Sequence, residues 1–476
     1  MEYKLPKEVE EILEKVSNAG FEIYIVGGAV RDLLMGSKVR DWDFTTDAKP
    51  EEILKIFPDA FYDNKFGTVG VIFARGDAEE GSLRRARNES SSEDGRRDTE
   101  AAGPRVKDIY EITTMRKEGV YQDFRHPLEV SWTNKIKEDL GRRDFTINTL
   151  ALSKDGKIID PFGGQKDLEA KLIKAVGDPN ERFKEDALRL MRAIRIAAEL
   201  GFDIEKNTFE AIKKNTSLIK EVSGERIRDE LFKILESMNP YTGIVKLREA
   251  GILQIILPEV EKTFGISQEG PKHARTYDIG KHSLETVKET PSSDPLVRFA
   301  ALIHDIGKPS TYKIDEKGNV TFYNHDVAGG QLSLRIAQRL ALSKKQTDKL
   351  FKLVRWHLYT VDENQTDAAI RRFIKNVGLE NIDDMLKLRI GDRLGGGTQR
   401  PVSWRMEKFS ERIKEVLKKP FSISDLKVNG NDVMKILNIP AGPKVGEILN
   451  QLFQEVLDDS SKNNREYLLK LLKSLK

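Results

Sequence analysis

Residues 27–46 spell GGAVRDLLMGSKVRDWDFTT. The run before them, FEIYIV, is short, apolar and β-prone, so the glycine pair marks where a strand passes into a turn. VRDLLMG continues as a short helix closed by Gly36, and RDWDFTTDAKP is a second strand leading to a turn. In a strand, residues two apart share a face, so Asp41 and Asp43 present paired carboxylates while Trp42 points the other way. Such a pair can hold the metals that nucleotidyl transfer uses to neutralise a triphosphate, activate the attacking hydroxyl and steady the leaving oxygen. An isolated Asp-X-Asp is more often an exposed acidic turn. Here Gly27 and Gly28 lie shortly upstream with Arg31 and Asp32 beyond them, so bare amides and a guanidinium are at hand to cradle phosphates.

Working outward, Pro6–Ala19 has the spacing of an amphipathic helix, and PEEILKIFP is another helix. GTVGVIF and DIYEITTMR are strands that can pair as a hairpin. Between them Ala74–Lys107 carries eight basic and eight acidic residues and no aromatic one. It has too little apolar surface to offset its ordering entropy, which predicts a disordered insertion, an RNA-binding arm being the alternative. From about Asp160 helical periodicity dominates, in EDALRLMRAIRIAAEL, TFEAIKKNTSLI, RIRDELFKILES, LVRFAALIHDI, QTDKLFKLVRWH and NREYLLKLLKSL. In the first of these, a helix beginning near Glu185, Asp186 and Arg189 are three residues apart and so neighbours on one face. A carboxylate that accepts and a guanidinium that donates can pair with the edge of cytosine, or of adenine after a small reorientation, and refuse uracil and guanine. Taken alone, the same pair is more often a surface salt bridge. Arg192 and Arg195 extend the series around the helix and suit phosphate contacts.

The glycine–aspartate stretch resembles the signature of the polymerase-β-like superfamily, in its class II tRNA nucleotidyltransferase and bacterial poly(A) polymerase branch. Four further segments follow in that family's order: RRDFTINTLA at 142–151, DPFGGQKDL at 160–168, RFKEDALRLMRAIRIAAELGF at 182–202 and SGERIRDEL at 223–231. The resemblance implies two Mg2+ ions at Asp41 and Asp43 and triphosphate contacts from Gly27, Gly28 and Arg31. It also implies nucleotide contacts from Arg142, Asp144 and Asn148, and selection of CTP then ATP by Asp186 and Arg189, with tRNA as the acceptor. TTMRKEGVYQDFRHP, at 113–127, resembles the flexible loop with which family members switch from cytosine to adenine, although a plain surface loop has the same composition. The long 74–107 insertion and Thr149, where the family more often has alanine, depart from the pattern without touching the presumed chemistry.

A second constellation follows. Four of the six histidines, His282, His304, His325 and His357, fall within one stretch. His304-Asp305 ends the apolar run LVRFAALIHDI, where buried polar groups demand partners. With His282 upstream and Asp392 downstream, the order H…HD…D resembles the HD phosphohydrolase superfamily, which implies a divalent metal at His282, His304, Asp305 and Asp392. His325 and His357 match second-metal or phosphate contacts. Imidazole with carboxylate suits Mn, Ni, Zn or Fe. Such a site can activate water against a phosphoester, for example a 2′,3′-cyclic phosphate at a damaged tRNA end. Further on, GPKVG at 442–446 offers backbone amides and Lys444 to a phosphate, or is simply a turn joining helices.

Bulk properties set the limits. The chain has 476 residues, enough for several domains, with 38% hydrophobic and 33% charged residues. A net charge of +3, from 80 basic and 77 acidic residues, means that a polyanion must be gripped by local patches. With no cysteine, thiolate nucleophiles and Cys-ligated zinc are excluded. There is no signal peptide and no apolar run of membrane-spanning length, so a cytoplasmic protein without a membrane partner is expected. Nothing in the sequence bears on oligomeric state. The expected fold class is α+β: a polymerase-β-like nucleotidyltransferase head at 1–155, a helical neck and body at 156–265, an HD domain at 266–400 and a helical tRNA-binding region at 401–476. The rival readings are a poly(A) polymerase with the same head, an RNA-binding scaffold with dead sites, and a protein whose main activity is the HD phosphohydrolase.

Overall fold

The computed structural model describes residues 3–64, 67–74, 107–119, 130–268, 278–359, 366–398, 400–417 and 423–475. Nearly all of the charged insertion, and the part of the 113–127 loop beyond Gly119, lie outside them. The chain forms two compact units, one of Met1–Ala197 with Gly201–Glu221, the other of Ala198–Leu200 with Val222–Lys476.

The first unit is built on a seven-stranded sheet. Its strands are β1 (Ile23–Val26), β2 (Asp43–Thr46), β3 (Phe61–Asn64), β4 (Thr68–Ala74), β5 (Lys107–Thr114), β8 (Ala151–Ser153) and β9 (Ile158–Ile159), and a separate ribbon pairs β6 (Arg116–Glu118) with β7 (Val130–Trp132). The sheet order is β3-β4-β5-β2-β1-β8-β9, antiparallel except for β2 beside β5. As the sequence predicts, β4 and β5 pair as antiparallel neighbours across the insertion, from Thr68↔Thr113 to Ala74↔Lys107.

Helix α1 (Lys7–Asn18) buries Val9, Ile12, Leu13 and Val16, the i, i+3, i+4, i+7 stripe that its sequence prescribes. Each such burial stabilises by roughly 1.5–3 kcal/mol relative to exposure. Helix α2 (Gly28–Leu34) follows the glycine turn. Helix α3 (Pro50–Ile56) starts on a proline, with the Glu52 carboxylate accepting from the Lys49 amide at 2.7 Å. Ile25, Phe44, Ile53, Val69, Ile112 and Leu152 join α1 in one core. After the short helices α4 (Ile136–Gly141) and α5 (Gly164–Glu169) come α6 (Pro179–Glu185) and α7 (Arg189–Leu200).

The expected continuous helix from Glu185 is broken. Asp186 is extended, φ −138° and ψ 108°, and its side chain accepts from the Leu188 amide at 3.1 Å. It therefore introduces α7 instead of sharing a helical face with Arg189, because a local side-chain-to-backbone bond competes with the helix ladder.

Among its described residues the second unit is helical apart from one two-residue strand pair, Lys313–Ile314 with Val320–Thr321. Its C-terminal helices, Gly430–Leu437, Pro443–Asp458 and Arg465–Ser474, close their own core around Val433, Leu452, Phe453 and Leu468. Pro443 of GPKVG is the first residue of a sixteen-residue helix, so this segment is a helix start. Among the described residues no helix is long and apolar enough to cross a membrane.

Candidate active site and metal centre

Strand register joins the two ends of the glycine–aspartate stretch. Val26 pairs with Asp43 on one side and with Ala151 on the other. The chain leaves β1 through Gly27, at φ 72° and ψ −135°, a conformation that glycine alone adopts without strain. Space demands glycine as well, since a Cβ there would stand 3.0 Å from Arg143 Nη1 and 3.9 Å from Asp43 Oδ2. Strand β2 begins at Asp43, so Asp41 lies just before it, exposed, where the sequence suggested both in one strand. The two carboxylates still feel each other. Burial raises the Asp43 carboxyl above its ordinary value, the Arg143 guanidinium partly offsets this, and the charge of Asp41 pushes it further up. A half-buried carboxylate with an exposed one two residues before it is a donor set that suits a hard divalent cation.

Around this point four expected residues form one chain of hydrogen bonds. Arg31 Nη1 donates to Asn148 Oδ1 at 3.0 Å, and Asn148 Nδ2 to Asp144 Oδ1 at 3.1 Å. Arg192 donates twice to Asp144 Oδ2, at 2.8 and 2.6 Å. The Phe145 amide completes the set around the Asp144 carboxylate at 2.9 Å. Burial works against this charge, but Arg192, Asn148 and Arg189 outweigh it and hold the carboxyl well below its usual range. With four donors already on it, Asp144 takes a bond from a nucleotide only by giving one up.

The sequence reading missed Asp139, Arg143 and Glu185. Asp139 is fully buried on α4 and accepts from Arg142 Nε and Nη2 at 3.0 and 2.9 Å and from the Arg116 amide at 3.2 Å; Arg143 Nη2 lies 3.5 Å away. The arginine doublet was the visible signal, but nothing local said which carboxylate balances it. Arg189 reaches Glu185 Oε2 at 2.5 Å, the Arg142 carbonyl at 2.9 Å and the Arg182 carbonyl at 3.2 Å. Arg195 sits part-buried farther along α7.

In the second unit His282, His304 and Asp392 bring ligand atoms within 4.8 Å of one another, and Asp305, His325 and His357 form a second such group. Asp305 faces both. Its Oδ2 lies 3.1 Å from His304 Nε2 and 3.7 Å from His282 Nε2, while Oδ1 lies 3.2 Å from His325 Nε2 and 3.7 Å from His357 Nε2. Three rings are oriented by one device: Nδ1 of His304, His325 and His357 bonds the carbonyl three residues back, Ala301, Phe322 and Val354, at 2.8, 2.8 and 2.6 Å. That fixes the proton on Nδ1 and turns each Nε2 lone pair inward, the usual support of a metal-binding imidazole. Those three Nε2 atoms are buried and have no hydrogen-bond partner among the described residues, a donor set that fits a divalent cation. Burial pushes His304 down, yet Asp305 and Asp392 carry it above its ordinary value; His357 is driven down to about 3 by burial and by His304, and stays neutral.

The helices carrying His282 (Ile279–Glu289) and Asp392 (Ile382–Gly395) approach closely through glycines. A Cβ on Gly391 would fall 2.1 Å from Thr290 Oγ1 and 2.8 Å from the Thr286 carbonyl. Gly391→Ala should therefore push the helices apart, stretch the 3.1 Å contact of His282 Nε2 with Asp392 Oδ1 and weaken Mn2+ binding about tenfold, read by calorimetry. Unchanged affinity would show that the seam does not set the metal geometry.

Family models match most of the chain: poly A polymerase head domain over 23–108 and 80–174, the RNA- and SrmB-binding site of polymerase A over 201–264, HD domain over 275–383, and tRNA nucleotidyltransferase domain 2 over 336–472. A CCA-adding enzyme of Ligilactobacillus salivarius is 31% identical over 470 residues, 98% of this chain and 96% of the relative. An A-adding tRNA nucleotidyltransferase of Deinococcus radiodurans is 32% identical over 329 residues, 67% of this chain and 74% of the relative. Among solved structures, a Bacillus stearothermophilus CCA-adding enzyme in complex with CTP superposes with TM-score 0.66 at 26% identity, covering 98% of this chain and 97% of that one.

Proposed function

The chain belongs to the CCA-adding enzyme and poly(A) polymerase family, and on that premise we propose that it completes tRNA with CCA, drawing on CTP and ATP without a nucleic-acid template. The observation that carries the mechanism is the register that sets Asp43 against the Gly27 turn and Arg143. Asp41 and Asp43 hold Mg2+, which supplies charge neutralisation of the triphosphate and a lower pKa for the attacking tRNA hydroxyl. Gly28 and Arg31 take the triphosphate, with Arg31 kept in place by Asp32 Oδ1, 2.8 Å from its Nε, and by Asn148. Arg142 and Asn148 border the nucleotide, while Asp186 and Arg189 read the base. The short bond to Glu185 presets the Arg189 guanidinium, so less rotamer entropy is lost when the base arrives. Arg192 and Arg195 stabilise this wall, Arg192 through Asp144. The work divides among a head (1–155), a neck and body (156–265), an HD domain (266–400) and a tRNA-binding tail (401–476). The absence of cysteine fits action in the cytoplasm.

The HD region supplies a phosphohydrolase function, with divalent metal on His282, His304, Asp305 and Asp392 and a second group of ligands at His325 and His357. Mn, Ni, Zn and Fe all suit this donor set.

Extension of a tRNA transcript lacking CCA tests the main reading and separates its neighbours. CTP alone should add two residues, and CTP with ATP three. Addition of A only to tRNA ending in CC would place the chain with the A-adding relative, and long adenylate tails with poly(A) polymerases. Arg189→Ala should lower CTP-over-UTP discrimination by about a hundredfold, the scale of losing a paired recognition contact, while slowing CTP incorporation less. Unchanged discrimination would remove Arg189 from base selection.

A further inference from the structure

Beside the buried histidines lies a polar face that the metal ligands do not use. On the Ile382–Gly395 helix Arg389 and Arg393 are four residues apart, with Asp392 between them, and Arg389 Nη1 donates to Asp392 Oδ2 at 2.8 Å. Arg393 Nε is buried and has no hydrogen-bond partner among the described residues. Two residues past His357, the hydroxyl of Tyr359 is buried and has no hydrogen-bond partner among the described residues. The Tyr359 ring is fixed by packing: Phe373 lies 4.6 Å away between centroids and Phe409 5.4 Å away at an interplanar angle of 24°, with Arg389 over the ring at 6.0 Å. The phenol cannot turn elsewhere for a partner without losing these contacts. Arg389, which lies over this ring, also bonds Asp392, and Arg393 stands one turn further along the same helix, so these groups share one neighbourhood.

Exposure gives the direction of approach. The side chains of His304, Asp305 and His282 are 1%, 3% and 4% exposed, but Asp392 and Arg389 are 21% and 27% exposed. The cluster is closed behind the histidines and opens on the side of Arg389. A ligand arriving there meets guanidinium and phenol donors, two of them without a partner among the described residues, and Asp392 as an acceptor. Donors in excess beside a metal-binding pocket call for an oxyanion with enough oxygens to serve both, and a tetrahedral phosphoryl group has them.

We propose that Tyr359, Arg389 and Arg393 form the anion-binding wall of the HD site and hold the phosphoryl group of a phosphoester beside His282, His304 and Asp392. This rests on the HD site binding a metal. Helix Trp404–Leu417, which carries Phe409 against the Tyr359 ring, lies beyond the matched HD segment.

The test is calorimetric titration of inorganic phosphate into the full-length protein loaded with Mn2+. Tyr359→Phe deletes the hydroxyl and keeps the aromatic packing; Arg393→Gln deletes the charge. Each should weaken phosphate binding about tenfold, with Mn2+ stoichiometry unchanged. Phosphate binding at parental strength by both variants would overturn the wall. A nucleoside 3′-phosphate should displace phosphate from the parent, and failure to do so would overturn the phosphoester assignment. If the parent takes up no Mn2+, the metal reading fails by itself. The two variants then test the wall in the metal-free protein: weaker phosphate binding supports it, and no phosphate binding by the parent overturns it.

Discussion

Asp43→Asn should reduce nucleotide incorporation by at least about a thousandfold while tRNA binding changes less than about twofold. The loss follows from what the carboxylate contributes: cation-based stabilisation of a transferring phosphoryl group amounts to several kcal/mol, and each 1.36 kcal/mol is tenfold in rate. Asparagine keeps the shape beside Gly27 and Arg143, so the substitution removes charge and little else. It should also leave Arg143 more poorly balanced, since Asp43 is one of the charges that counter the burial of that guanidinium. Filter binding to tRNA separates loss of chemistry from loss of fold. Asp41→Ala should behave in the same way, and a double variant that still extends tRNA would end the two-carboxylate assignment.

The second large effect is expected at Asp305→Asn. This carboxylate groups with His325 and His357, lies 3.1 and 3.7 Å from the Nε2 atoms of His304 and His282, and also pairs with Lys308 Nζ at 2.6 Å. An amide of the same shape replaces one charged oxygen by an NH2 group, which would donate to an imidazole lone pair instead of joining it on a cation. Mn2+ affinity should fall by more than about a hundredfold, beyond the tenfold to hundredfold typical of outer-sphere changes, and phosphoester hydrolysis should fall with it. CCA addition should be retained, because the carboxylates proposed for nucleotidyl transfer lie in the other compact unit. Parental Mn2+ uptake by Asp305→Asn would show that this residue is not a ligand, and loss of CCA addition would show that the two activities are not separable.

Much of this was legible in the chain. The glycine pair, the Asp-X-Asp and the β-prone runs give the strands their order, and the apolar stripe of α1 gives its buried face, because both depend on periodicities that a linear sequence records directly. The histidine and aspartate ligands were also visible, since buried polar residues in an apolar run announce a partner even when the partner is unnamed.

Other features were hidden from the linear sequence. The break at Asp186 came from a side chain bonding the Leu188 amide, a local competition that helical periodicity conceals. Asp139 as the counter-charge for Arg142 and Arg143 could not be chosen among many acidic residues until α4 was placed. The sharing of Asp305 between two clusters depends on ring nitrogens brought together from segments around residues 282, 304, 325 and 357. Sequence by itself determined the family resemblance, the candidate residues for the chemistry and most of the elements that bear them, because residue type and spacing are local properties. Tertiary structure alone decided which charges face which, because Coulomb and hydrogen-bond energies depend on distances of a few ångströms between positions far apart along the chain.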